Sequence, residues 1–141
     1  MINHSELKQF LKQNNMKTTI NETNPYLKSC ALLGITPRPE LIDKSNGFLV
    51  SEDAYHRLMI CVAAKNMIDG KVWKPVYDGS EDHYWPYFKK NKSGSGFSHS
   101  DYVGWNTHST VGPRLEYRSY ELMLEGVKEF DEYYQALYNQ Q

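Results

Sequence analysis

A chain of 141 residues is the size of one domain and can bury about 70% of its unfolded surface, so it needs no disulfide or metal to fold. A net charge of −1 with 23% charged residues gives no strong basic or acidic character that would point to nucleic acid or a membrane. The two cysteines, Cys30 and Cys61, have no CxxC spacing, which argues against a zinc cage or a thioredoxin-like pair and for buried free thiols in a reducing cytoplasm.

The N-terminal MINHSELKQFLKQNN has no apolar h-region, so no signal peptide is expected, and the longest apolar run, 58–64, is too short to cross a bilayer. Ser5 could cap a first short helix carrying Leu7, Phe10 and Leu11, and the polar run that follows to residue 24 reads as a loose linker. A second helix is expected to start at Pro25 and end at Gly34, followed by an extended TPRPE connector. The third spans 51–69, capped by Ser51 and ended by Gly70. Its apolar face is broad enough to pack on more than one side. His56 on this helix reads as structural or solvated rather than as a ligand.

After Gly70 the period changes to short aromatic runs broken by turns, and the stretch 71–130 holds all three tryptophans. Tyr77-Asp78-Gly79-Ser80 is a turn; 84–88 reads as a strand in which Pro86 calls for an edge or a bulge. Residues 89–96 read as a flexible connection, 97–105 as a second strand of imperfect alternation, and 114–118 as the cleanest strand. In that last strand Leu115 and Tyr117 point one way and Arg114, Glu116 and Arg118 the other. Ser119 caps a closing helix over 120–138, with an apolar stripe from Tyr120 to Leu137 and an acidic stripe of Glu121, Glu125, Glu129 and Glu132 that reads as a solvated face. The expected fold is therefore α+β: a single domain over 1–141, with a small antiparallel sheet of about three strands packed against three to four helices and the C-terminal helix closing the core.

Most reaction chemistries fit poorly. His83, His99 and His108 share the region with Asp78, Asp82 and Asp101, but no pair has a spacing that fixes metal geometry. Ser98, His99, Ser100 and Asp101 cannot form a triad among adjacent strand positions, and no G-x-S-x-G elbow occurs. KSGSG lacks the phosphate-loop spacing and the helix that must follow it. No cofactor or metal is expected. What remains is cations among aromatics. From His83 to Arg118, five lysines and arginines face two acids. Arg114 and Arg118 are the expected anion-binding groups, with Trp85, Tyr87, His99, Tyr102 and Trp105 as stacking or polar partners. The ordinary alternative places those aromatics in the core and pairs the arginines across strands.

Trp73-Lys74-Pro75, Tyr84-Trp85-Pro86-Tyr87-Phe88, Gly96-Phe97-Ser98 and Val111-Gly112-Pro113-Arg114-Leu115-Glu116-Tyr117-Arg118, with Glu121-Leu122 and Phe130, occur in one order. The series resembles a family of small uncharacterised proteins in phages and prophages of gut bacteria, whose pattern runs WKPxW, YYPWF, GFxF, GSRLxFKxxEL. It departs from that pattern at Tyr77, where a second tryptophan is usual, at Pro113 for serine, and at Glu116 for an apolar residue. The resemblance covers about the C-terminal half, implies a phage or prophage setting in a host cytoplasm, and carries over no catalytic residue.

The expected function is a non-enzymatic binding protein that sequesters a nucleotide-like or other anionic host ligand, in a counter-defence role. The alternative is a structural or protein-interaction subunit acting through self-association into a homo-oligomer or contact with a host protein. A hydrolase would require His99 or His108 to converge with Asp101.

Overall fold

The computed structural model describes residue 5 and residues 24–88, 102–107 and 115–138, with backbone alone for Tyr87 and 102–107. Asn24 opens helix α1, Pro25–Leu33, by accepting the amides of Tyr26 and Leu27, with Pro25 in the first turn where no amide is missed. Gly34 closes it at φ 68°, and the Ile35 amide folds back to the Cys30 carbonyl at 2.9 Å.

Helix α2, Gly47–Lys65, begins four residues before the expected Ser51 cap. Asn46 is the actual cap, bonding the amides of Phe48 and Leu49 at 3.0 and 3.2 Å. The Asn46-Gly47 pair carries a turn signal in sequence, which hides its capping role. Ser51 is instead inside the helix, and its hydroxyl donates to the Leu137 carbonyl at 3.4 Å.

The helix stops at Lys65, short of Gly70, because Asn66 turns its side chain into the body. Its Nδ2 donates to the Glu116 carbonyl at 2.8 Å, and its Oδ1 accepts the Arg118 amide at 3.0 Å. Gly70 is left-handed, as expected, but it serves a tight turn. With Asp69, also at positive φ, it lets Ile68 and Lys71 exchange two backbone hydrogen bonds. Gly79, at φ 84°, forms the expected turn, with the Ser80 amide on Asp78 Oδ1.

Strand β1, His83–Phe88, pairs antiparallel with β2, Tyr102–Thr107, in a register that sets Trp85 opposite Trp105 and Pro86 opposite Gly104. Among the described residues the sheet has these two strands. The expected third strand is reduced to one bridge between Tyr84 and Tyr117, whose amides and carbonyls exchange bonds of 2.9 and 2.6 Å. The cause is local. Tyr84 directs its backbone groups to Tyr117, so two residues on Pro86 would have to direct an amide to Leu115, and proline has none.

The closing helix comes as two pieces, α3, Tyr120–Glu129, and α4, Asp131–Tyr138. Ser119 caps the first through the Leu122 amide, as expected. Phe130 breaks it at φ −108°, ψ 19°, yet its amide still reaches Gly126 and its carbonyl still accepts from Tyr134. The apolar stripe therefore runs unbroken across the kink.

Helix α2 packs against both α1 and α4, and α3 lies against β1. Tyr26, Cys30, Leu58, Cys61, Val62, Tyr117, Met123, Val127, Phe130 and Tyr134 fill the core between them. Each such side chain contributes roughly 1.5–3 kcal/mol by leaving water. The outcome is a mixed helix-and-strand fold, and among the described residues no helix is long and apolar enough to cross a membrane.

Candidate functional site

Trp85 is half-buried on β1 and borders a cavity of about 270 Å³ between the strand and α4. Tyr134, Leu137 and Tyr138 form the helical wall, Tyr55 of α2 closes one end, and Pro86 and Leu115 complete the strand side. Phe88 anchors the wall, its ring centroid 5.2 Å from Tyr134 and 5.6 Å from Tyr138. Tyr134 cannot swing away, since its hydroxyl meets that of Tyr117 at 2.9 Å in the core. Burial pushes the Tyr138 phenol up. Among the described residues the lining is uncharged and largely aromatic, suited to a flat ring.

Of the other sequence candidates, Tyr87, Tyr102 and Trp105 lie on the β1–β2 ladder, where Tyr87 faces Val103 and Tyr102 faces Phe88 across the strands. The register brings Trp85 and Trp105 together and sets Tyr102 at the opposite parity. Arg118 is half-buried, with its Nε donating to the Asn66 carbonyl at 3.0 Å, so part of its guanidinium closes the C-terminus of α2. Arg114 and His99 lie outside the described residues, as do Asp101 and His108.

Glu116 requires a correction. Alternation puts it on an open face beside Arg114 and Arg118, yet only 3% of it is exposed. The connector 72–82 lies over that side. Tyr77 donates its hydroxyl to Glu116 Oε1, and the rings of Trp73 and Tyr77 stand edge-on to His83, with centroids 5.6 and 4.7 Å away. His83 Nε2 bonds Glu81 Oε1 at 2.9 Å, while the same oxygen accepts the Val76 amide. On its other edge, His83 Nδ1 lies 3.4 Å from Glu116 Oε2.

Burial raises the Glu116 carboxyl above its ordinary range, against the opposing pull of the Tyr77 hydroxyl and the His83 ring. Neither this cavity nor the larger one on the far side of α2 is lined by a member of the cluster. Its evident work is to fasten the connector to the body. Strand alternation does not signal it, because its partners Tyr77, Glu81 and His83 come from a distant stretch of the chain.

His56 is tied into the fold as expected. The Arg38 amide donates to the Tyr26 hydroxyl at 2.8 Å, and the same hydroxyl is hydrogen-bonded to His56 Nε2 at 2.9 Å. Among the described residues, no group of three or more His, Cys, Asp or Glu is arranged to hold a metal ion. No protein-family model, curated protein or solved structure matches the chain.

Proposed function

We propose that the chain is a non-enzymatic binding protein of the phage or prophage type that sequesters a nucleotide-like host ligand. The observation that supports this is the aromatic slot of about 270 Å³ under Trp85, Tyr55, Tyr134 and Tyr138. Its volume falls just below the roughly 300–1,000 Å³ of drug-sized sites, which matches one flat ring system better than a dinucleotide. Stacking of a base on aromatic side chains contributes about 1–3 kcal/mol. Arg114, expected from the sequence as an anion-binding group, is the group this reading gives to the phosphate of the bound molecule.

Differential scanning fluorimetry against linear and cyclic mononucleotides tests it. A ligand that binds only the folded state raises the melting temperature as its concentration exceeds Kd. A saturable rise that Trp85→Ala abolishes supports the reading. No rise with any nucleotide at millimolar concentration removes it.

A second reading, an interaction subunit, is favoured by a separate observation. Ile42 and Phe48 are 99% and 89% exposed, beside a half-exposed Leu49. Light scattering decides: an oligomer that Phe48→Glu converts to monomer supports this role, and a monomeric wild type removes self-association.

A further inference from the structure

A larger cavity, of about 430 Å³, opens on the other side of α2, between the start of α1, the 35–46 connector and α4. Among the described residues it shares no lining residue with the aromatic slot. Its wall carries both signs of charge: Glu40, Asp53 and Glu132 against Lys44 and Arg57.

Arg57 is the fixed element. Only 9% exposed, it is held by Asp53 through Nε at 2.8 Å and by the Pro39 carbonyl through Nη2 at 3.0 Å. Its guanidinium carbon lies 4.4 Å from the centre of the Tyr26 ring. A guanidinium clamped on three sides loses little freedom on binding a ligand. Asp53 is fully engaged by Arg57 and, at 3.6 Å, by Arg38. That leaves Lys44 and the remaining edge of Arg57 for a carboxylate, and Glu40 and Glu132 for an amine. Leu41, Val50, Ala54 and Ala136 are the aliphatic part of the lining.

A simple anion would face Glu40 and Glu132, and a simple cation would face Lys44 and Arg57. A molecule with one charge of each sign meets neither conflict. We propose that this cavity binds a zwitterionic molecule of dipeptide size, its amino end toward Glu40 and Glu132 and its carboxylate toward Lys44 and Arg57. This site is independent of the nucleotide reading and stands or falls separately.

The test is a calorimetric and thermal-shift titration with glycyl-L-leucine, L-leucyl-L-leucine and two matched controls, N-acetyl-glycyl-leucine, which lacks the amine, and glycyl-leucinamide, which lacks the carboxylate. Saturable binding of a free dipeptide is expected, at least tenfold weaker for each control. Lys44→Ala and Glu132→Gln should each weaken it about tenfold without lowering the melting temperature of the unliganded protein. Absence of saturable binding by either dipeptide overturns the proposal. So does binding of a control as tight as that of its parent, or dipeptide binding unaffected by both substitutions.

Discussion

His83 Nδ1 and Glu116 Oε2 face each other across 3.4 Å in the interior, and neither has a hydrogen-bond partner among the described residues. The groups that bracket this pair are Tyr77 on the carboxyl and Glu81 on the far imidazole nitrogen. Polar groups buried at this distance without a hydrogen bond stabilise poorly, because desolvation offsets the attraction between them. Removing one partner is still costly, since it strands the other.

Glu116→Ala is therefore expected to destabilise by about 1–3 kcal/mol, because it removes the acceptor of the Tyr77 hydroxyl. Glu116→Gln keeps an acceptor for Tyr77 and costs less. The pH dependence separates burial from attraction. A carboxyl whose folded pKa is raised stabilises the fold fully below its unfolded pKa, and that contribution is lost as pH rises through the folded value. Urea titrations should show Glu116→Gln gaining on wild type as pH climbs from about 4. Wild type gaining instead would mean that the charged pair with His83 prevails.

His56 has the opposite sign. Burial, aided by the charges of Arg38 and Arg57, depresses its pKa against the weaker pull of Asp53 and Glu52. Its contribution is present above the unfolded value, about 6.5, and is lost as pH falls toward the lower folded value. His56→Gln should flatten the stability profile below that pH, measured by denaturant midpoints.

Gly126 presses on the Tyr117 ring so closely that an added Cβ would lie 2.3 Å from the hydroxyl oxygen and 2.5 Å from the ring carbon bearing it. Tyr117 is fully buried and bonded to Tyr134, so it has nowhere to retreat. Gly126→Ala should cost about 1–3 kcal/mol by overpacking, despite the better helix propensity of alanine, and equilibrium unfolding measures it.

Burial pushes the Cys61 thiol up to about 12, and Cys30 is raised for the same reason. Thiolate is the reactive form, so both should resist Ellman's reagent in the native protein and react together in urea. Release of two equivalents without denaturant would contradict the buried placement.

What could be read in the sequence was whatever local chemistry decides. Pro25 and Gly34 bound α1, Ser119 caps α3, and Asp78-Gly79 makes a turn because each residue acts on its own backbone. Tertiary partners decided the rest. Asn66 ends α2 by bonding a segment fifty residues away, and alternation alone cannot show that Tyr77 covers Glu116. The Phe130 kink was invisible because hydrogen bonds on both sides preserve the period of the apolar stripe. The slot beside Trp85 was half legible: the tryptophan stood out, but its partners Tyr55, Tyr134 and Tyr138 come from helices read as core.

The indole N–H resonances of the tryptophans, followed while a mononucleotide is titrated, test the binding reading most directly. Trp85 lines the slot, whereas Trp73 stands against His83 on the connector. A saturable shift of the Trp85 indole with Trp73 unmoved is the predicted result. A silent Trp85 at millimolar nucleotide, or a shift centred on Trp73, would contradict the account.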